Sequence, residues 1–150
     1  MMEERFKTFT VQIAKISRAI RKIKTMEVAE FNLKSPHVSC LYYLYNQGEE
    51  LTAKELCDIC DEDKAAISRS IEYLEYNGYL VCNSKTEKRY KSPLILTEKG
   101  KKVGKIIADK IDSMLNIASE GLSDKNRIIF YQSLILISNN LQKICDNYGE

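Results

Sequence analysis

The sequence predicts a mainly α chain with a small β-hairpin set between its helices, and three observations lead there. Asp63 to Gly78 (DKAAISRSIEYLEYNG) carries Ile67, Ile71 and Leu74 at helical spacing, with Lys64, Ser68, Arg69 and Glu72 on the opposite side. That is an amphipathic helix with one dry face and one cation-bearing face. Two β-prone runs follow, Tyr79-Leu80-Val81-Cys82 and Leu94-Ile95-Leu96, separated by the polar, basic stretch Asn83 to Lys91. Both ends of the chain repeat apolar residues at alternating spacings of three and four, the signature of long helices with an apolar seam.

In chain order, Phe6, Phe9, Ile13, Ile16, Ile20 and Ile23 form a narrow seam on the first helix, with Lys15, Arg18, Arg21 and Lys22 around it, and such a seam needs a partner. Thr25 to Lys34 is weaker and reads mostly as a bend. Ser35-Pro36 supplies an N-cap followed by proline at the first helical position, so a second helix runs through Val38, Leu41, Tyr42, Leu44 and Tyr45 to a stop at Gly48. Thr52-Ala53-Lys54-Glu55 has the capping-box pattern and opens a short third helix through Leu56 and Ile59. Asp63 caps the fourth helix and Gly78 supplies the left-handed residue past its end, so helices three and four make a helix-turn-helix pair. Thr97 caps a fifth helix whose stripe is Val103, Ile107, Ile111, Met114 and Ala118. Gly121 breaks it and Ser123 caps the last helix. There Phe130, Leu134, Ile137, Leu141 and Ile144 form a seam that Ile128, Ile129, Ile135 and Leu136 widen beyond what one domain buries easily.

A chain of 150 residues with 44% hydrophobic and 29% charged residues has the composition of one soluble globular domain and not of a disordered segment. No apolar run approaches the roughly 20 residues that span a bilayer, and Met1-Met2-Glu3-Glu4 lacks the basic-then-apolar order of a signal peptide. A cytoplasmic protein without membrane contact is expected, with Cys40, Cys57, Cys60, Cys82 and Cys145 as reduced thiols. The formal charge of +2 says little, but its distribution is uneven. Arg5 to Lys24 holds seven Lys/Arg and no acid, Glu49 to Asp63 seven acids and one Lys, and Ser84 to Lys105 eight Lys/Arg against two acids. Any one such block is also what a solvated face looks like. Cations clustered beside a helix-turn-helix form the electrostatic footprint of nucleic-acid binding.

ISRSIEYLEYNGYLV, the basic hairpin and Leu94-x-Leu96-Thr97-Glu98-Lys99-Gly100, in this order and spacing, resemble the winged helix-turn-helix of the MarR-type transcriptional regulators. The resemblance runs nearly end to end. It implies one domain over residues 1–150, with a winged-helix DNA-binding region over 35–100 flanked by dimerisation helices over 1–34 and 101–150. It also implies a homodimer joined through its terminal helices, in agreement with the apolar surplus at both ends, and the candidate dimerisation residues are Phe9, Ile13, Ile16, Ile20, Phe130, Leu134, Ile137 and Leu141.

A helix in the major groove brings its N-terminal residues to the base edges, so Lys64, Ala65, Ser68 and Arg69 are the candidate readers, Arg69 first because its guanidinium bonds guanine or phosphate bidentately. Its structural alternative is a surface ion pair with Glu72 or Glu75. Lys85, Lys88, Arg89, Tyr90 and Lys91 lie in the loop that resembles the family's wing, whose arginine enters the minor groove beside an orienting aspartate. Tyr90 stands where that arginine is expected, with Arg89 one residue earlier and Glu87 in place of the aspartate. Either the hairpin is shifted, with Ser92-Pro93 accommodating the shift, or the wing touches only phosphate. Ala65-Ala66 replaces a Ser-Thr pair common in relatives, and the acidic third helix disfavours backbone contact there.

Double-stranded DNA with a pseudo-palindromic operator is the expected partner, and a ligand-responsive repressor with a small-molecule effector is what the resemblance implies. The alternatives are a winged-helix protein-interaction module, or a thiol or metal sensor on the same scaffold. Cys57-x-x-Cys60 is half of a metal or redox motif, but it falls in a predicted helix and His37, the one histidine, is distant in sequence. Small core residues are the reading taken, with no metal and no cofactor. No phosphate-binding glycine loop and no histidine paired with a nucleophile is present, so an enzyme is not expected.

Overall fold

The computed structural model describes residues 2–47, 50–60, 62–83 and 91–149. They fall into two compact units, Met1–Asp112 and Ser113–Glu150. The first holds α1 (Met2–Glu27), a 3-10 turn (Ala29–Phe31), α2 (Ser35–Asn46), β1 (Leu51–Thr52), α3 (Ala53–Ile59), α4 (Lys64–Tyr76), β2 (Leu80–Cys82), β3 (Pro93–Leu96) and the first turns of α5 (Glu98–Ala118). The second holds the end of α5 and α6 (Asp124–Tyr148).

The mainly α architecture with a small antiparallel sheet is the one the sequence predicts, with one addition. The sheet has three strands in the order β1-β3-β2, because Leu51 and Thr52 pair with Leu94 and Pro93. Two residues are too few to show an alternation, so β1 had no signal of its own. The β2–β3 register runs without interruption through Leu80 with Leu96, Val81 with Ile95 and Cys82 with Leu94, and Asn83 N–H donates to the Pro93 carbonyl at 2.9 Å. Pro93 therefore opens the central strand, a position where its missing N–H is tolerated.

One core serves the first unit. Leu41 of α2, Leu56 of α3, Ile67 and Leu74 of α4, Leu80 of β2 and Ile107 of α5 are its large, fully buried side chains. Burial of this apolar surface is the main term that holds helix-turn-helix and sheet together.

Several local expectations are corrected. Helix α1 continues to Glu27, and Val28 and Leu33 are buried, so Thr25 to Lys34 contributes to the core and is not mainly a bend. Lys34, not Ser35, is the N-cap of α2, and Ser35 is its first residue. The Ser35 hydroxyl donates to Glu62 Oε1 at 3.1 Å, and the Lys34 N–H donates to His37 Nδ1 at 3.0 Å. A hydroxyl engaged with a distant carboxylate does not cap its own helix. Ile59 lies at the last turn of α3 and is exposed, while Leu56 is buried and Ala53 and Cys57 pack against the core beside it. The stripe of α5 is buried at Val103 and Ile107 and half-buried at Ile111 and Met114, but has come to the surface at Ala118. Gly48, expected to stop α2, lies outside the described residues.

In the second unit, Ser123 Oγ accepts from Asn126 N–H at 3.1 Å and starts α6 as expected. Helix α6 is 25 residues long and buries none of them.

Candidate nucleic-acid interface

The candidate recognition helix is α4, and its two ends are fixed by different means. At the start, Asp63 accepts from the Ala66 N–H at 2.7 Å, satisfying one of the free donors of the first turn. At the end, Gly78 N–H donates to the Glu75 carbonyl at 3.1 Å and Tyr79 N–H to the Leu74 carbonyl at 2.8 Å, a Schellman closure. Gly78 sits at φ 79°, the left-handed conformation that closure requires.

The same end is clamped by the Thr97-Glu98-Lys99-Gly100 segment. Thr97 Oγ1 donates to the Gly78 carbonyl at 2.6 Å and accepts from the Gly100 N–H at 3.1 Å, so one hydroxyl ties the end of α4 to the start of α5. Lys99 Nζ donates to the Asn77 carbonyl at 2.8 Å and lies 4.3 Å from the centre of the Tyr79 ring. This gives the sequence motif a mechanical meaning: its residues hold the end of α4 in place.

Along its length α4 buries Ile67, Ser70, Ile71 and Leu74, and the Ser70 hydroxyl is satisfied by the Ala66 carbonyl at 2.7 Å. Tyr73 stacks on His37 at 4.3 Å and its hydroxyl donates to the Asn32 carbonyl at 2.8 Å. His37 stays readily neutral, since burial and then the Lys34 charge lower its pKa from 6.5. Lys64, Ala65, Ser68 and Arg69 are all exposed, on the side opposite the buried residues. Among the described residues Arg69 makes no ion pair, so the surface bridge to Glu72 or Glu75 is not formed there.

Of the wing candidates, Lys91 is described and exposed, beside the buried Ser92. Lys85, Lys88, Arg89 and Tyr90 lie outside the described residues. The candidate dimerisation residues are mostly uncovered: Phe9, Ile13 and Ile16 on α1 and Phe130, Ile137 and Leu141 on α6 are exposed, while Ile20 and Leu134 are half-buried.

Sequence reasoning missed Glu62. It counted as one acid among seven between Glu49 and Asp63, yet its side chain is 6% exposed, with Arg21 Nη1 3.8 Å from one carboxylate oxygen and Ser35 Oγ on the other. No local pattern distinguishes it, because its partners stand on α1 and α2.

All five cysteines are free thiols. A hydrogen bond with Cys60 and then burial push the Cys40 thiol far up, and burial raises Cys57, so both are protonated at neutral pH. Cys57 and Cys60 pack against the core. Among the described residues no group of three His, Cys, Asp or Glu side chains is placed to hold a metal ion, and no helix is long and apolar enough to cross a membrane.

A helix-turn-helix backed by a three-stranded antiparallel sheet, with the second helix presenting an exposed polar face that bears Lys64 and Arg69, defines a winged helix-turn-helix protein. Residues 31–89 match the MarR family model. Three solved structures share the fold. A Listeria monocytogenes protein assigned to the MarR family of transcriptional regulators, complexed with 26mer DNA, is 23% identical with a TM-score of 0.80, over 88% of this chain and 87% of its own. A MarR family regulator from Neisseria meningitidis is 18% identical with a TM-score of 0.80, over 95% and 97%. A MarR transcriptional regulator from Methanosarcina mazei Go1 is 22% identical with a TM-score of 0.76, over 92% of each chain. No curated protein matches the sequence.

Proposed function

We propose that this chain is a non-enzymatic, dimeric, sequence-specific DNA-binding regulator of transcription, a cytoplasmic repressor whose grip on DNA is relieved by a small molecule. The observation that carries the reading is α4: a helix fixed at both ends and along its back, with Lys64, Ala65, Ser68 and Arg69 exposed and Arg69 in no ion pair among the described residues. A rigid helix with a free guanidinium near its N-terminal end suits the major groove, where base edges carry a distinct donor and acceptor pattern for each pair. The DNA complex of the similarly folded Listeria protein supports the same use of the fold. The lone apolar faces of α1 and α6 support the dimer, since exposed apolar surface of this extent marks an association site. Effector and direction of control rest on the family resemblance.

Two copies of α4 related by a two-fold axis reach successive major grooves, so the site is a pseudo-palindrome with half-sites about 10–10.5 bp apart, or a multiple. Selection of duplexes from a random-sequence pool, followed by footprinting, tests this directly. Arg69→Ala is expected to cost roughly 1–3 kcal/mol per half-site and to relax preference at one symmetric pair of positions, with the dimer mass unchanged. A footprint without dyad symmetry, or unchanged affinity and preference in the variant, refutes the assignment of Arg69.

A further inference from the structure

The Glu62 carboxylate has been taken almost wholly out of water, at 6% side-chain exposure. It accepts from Ser35 Oγ at 3.1 Å, and Arg21 Nη1 lies 3.8 Å from its second oxygen. Ser35 is the first residue of α2, Arg21 stands on α1, and Glu62 directly precedes Asp63, the N-cap of α4. One side chain thus joins three helices at the point where the recognition helix begins.

Stability alone gives little reason for a charge there. A buried carboxylate gives up hydration that one hydroxyl and a half-exposed guanidinium restore only in part, and a neutral side chain of the same shape holds such a site as well or better. What the charge adds is direction, because Glu62 attracts α1 at one position on that helix. Two further ties act on the same stretch: Lys24 Nζ donates to Ser39 Oγ at 3.0 Å, and Lys110 Nζ donates to the Glu27 carbonyl at 2.9 Å. Helix α1 is therefore anchored between Arg21 and Glu27, while the side chains from Glu4 to Ala19 are exposed.

We infer that Glu62 is a positioning residue which, through Arg21, sets the angle between α1 and the start of α4, so that the seating of α1 in the dimer governs how the recognition helix is presented. The inference rests on the DNA-binding dimer proposed above. It differs in sign from plain electrostatics: removing a negative charge beside a polyanion should tighten binding to every DNA, whereas removing a positioning contact should weaken binding only where register matters.

Glu62→Gln keeps the volume and the hydrogen bond to Ser35 while losing the attraction to Arg21. Arg21→Gln removes the other partner from a side chain that is 53% exposed and so opens no cavity, and circular dichroism checks that both variants are folded, since Glu62 is left without its cation. Fluorescence anisotropy would compare wild type, both variants and the double variant on three probes. These are a duplex selected by the wild type, the same duplex with one base pair inserted between half-sites, and an unrelated duplex. Glu62→Gln is expected to bind the selected duplex about tenfold more weakly, a coupling of ordinary size, with no loss on the unrelated one. The preference for the selected over the inserted spacing should shrink in both single variants, and the double variant should be no worse than either. Wild-type or tighter binding by Glu62→Gln with the spacing preference intact overturns the inference and leaves the DNA-binding reading standing. Should Glu62→Gln not fold, Arg21→Gln decides on the same ratio. A wild-type protein that selects no duplex overturns both.

Discussion

Gly100→Ala sets two physical rules against each other. Gly100 lies in the first turn of α5, where helix propensity alone makes alanine the better residue by about 1 kcal/mol. A Cβ at Gly100, however, would run into the Tyr79 carbonyl oxygen, with Leu96 Cδ2 a further 3.1 Å neighbour. The obstacle is backbone and cannot swing aside. That carbonyl also accepts the Thr97 N–H at 3.1 Å, so relieving the clash breaks the tie between β2 and the start of α5. Overpacking of this kind costs about 1–3 kcal/mol and an unmatched buried hydrogen-bonding group about 1–3 kcal/mol. Less the propensity gain, the net loss is about 1–5 kcal/mol, or roughly 2–20 °C in Tm for a chain of this length. Thermal unfolding by circular dichroism at fixed protein concentration measures it. Gly104→Ala meets only the Tyr45 side chain, at 3.0 Å, and should cost much less. A Gly100→Ala protein as stable as wild type would refute the reasoning, because propensity would then have outweighed the contact.

Glutamate at both Leu134 and Ile137 should abolish association, leaving aggregate or unfolded chain. Light scattering that returns 17.3 kDa for the wild type at micromolar concentration would remove the dimer from the account. Replacing Lys88, Arg89 and Lys91 together by Ala should weaken binding to all sequences and flatten the salt dependence by about one counterion per lost phosphate contact, and an unchanged slope would take the wing out of the interface. His37 has its pKa lowered from 6.5, by burial first and the Lys34 charge second, so its contribution to stability is whole above pH 6.5 and is lost as pH falls through the lowered folded value. Urea midpoints taken from pH 7.5 downward should therefore fall more steeply for wild type than for His37→Gln, and parallel curves would show that His37 carries no such linkage.

What the sequence made legible was local. Asp63, Thr97 and Ser123 cap helices through bonds to residues three positions on, and Gly78 closes one within its own turn, so short windows sufficed. Ser35 shows where such windows fail: its type and its following proline mark a cap, but its hydroxyl is taken by Glu62, 27 residues away. Glu62 itself looked like one more surface acid, and β1 exists only because β3 offers an edge to two residues. The cationic face of α4 was readable from helical spacing, whereas the clamp on its end needed the approach of Gly100 to Tyr79 to be seen.

The half-anchored α1 acts as a lever arm. At about 1.5 Å per residue its 26 residues are about 39 Å long, and the exposed part before the Arg21 anchor accounts for about 24 Å of that. A displacement of about 2 Å at its far tip corresponds to a tilt of only about 5° at the anchor. In the dimer proposed above, coarse shifts where chains meet would arrive at Glu62 and Asp63 geared down into fine angular adjustments of α4.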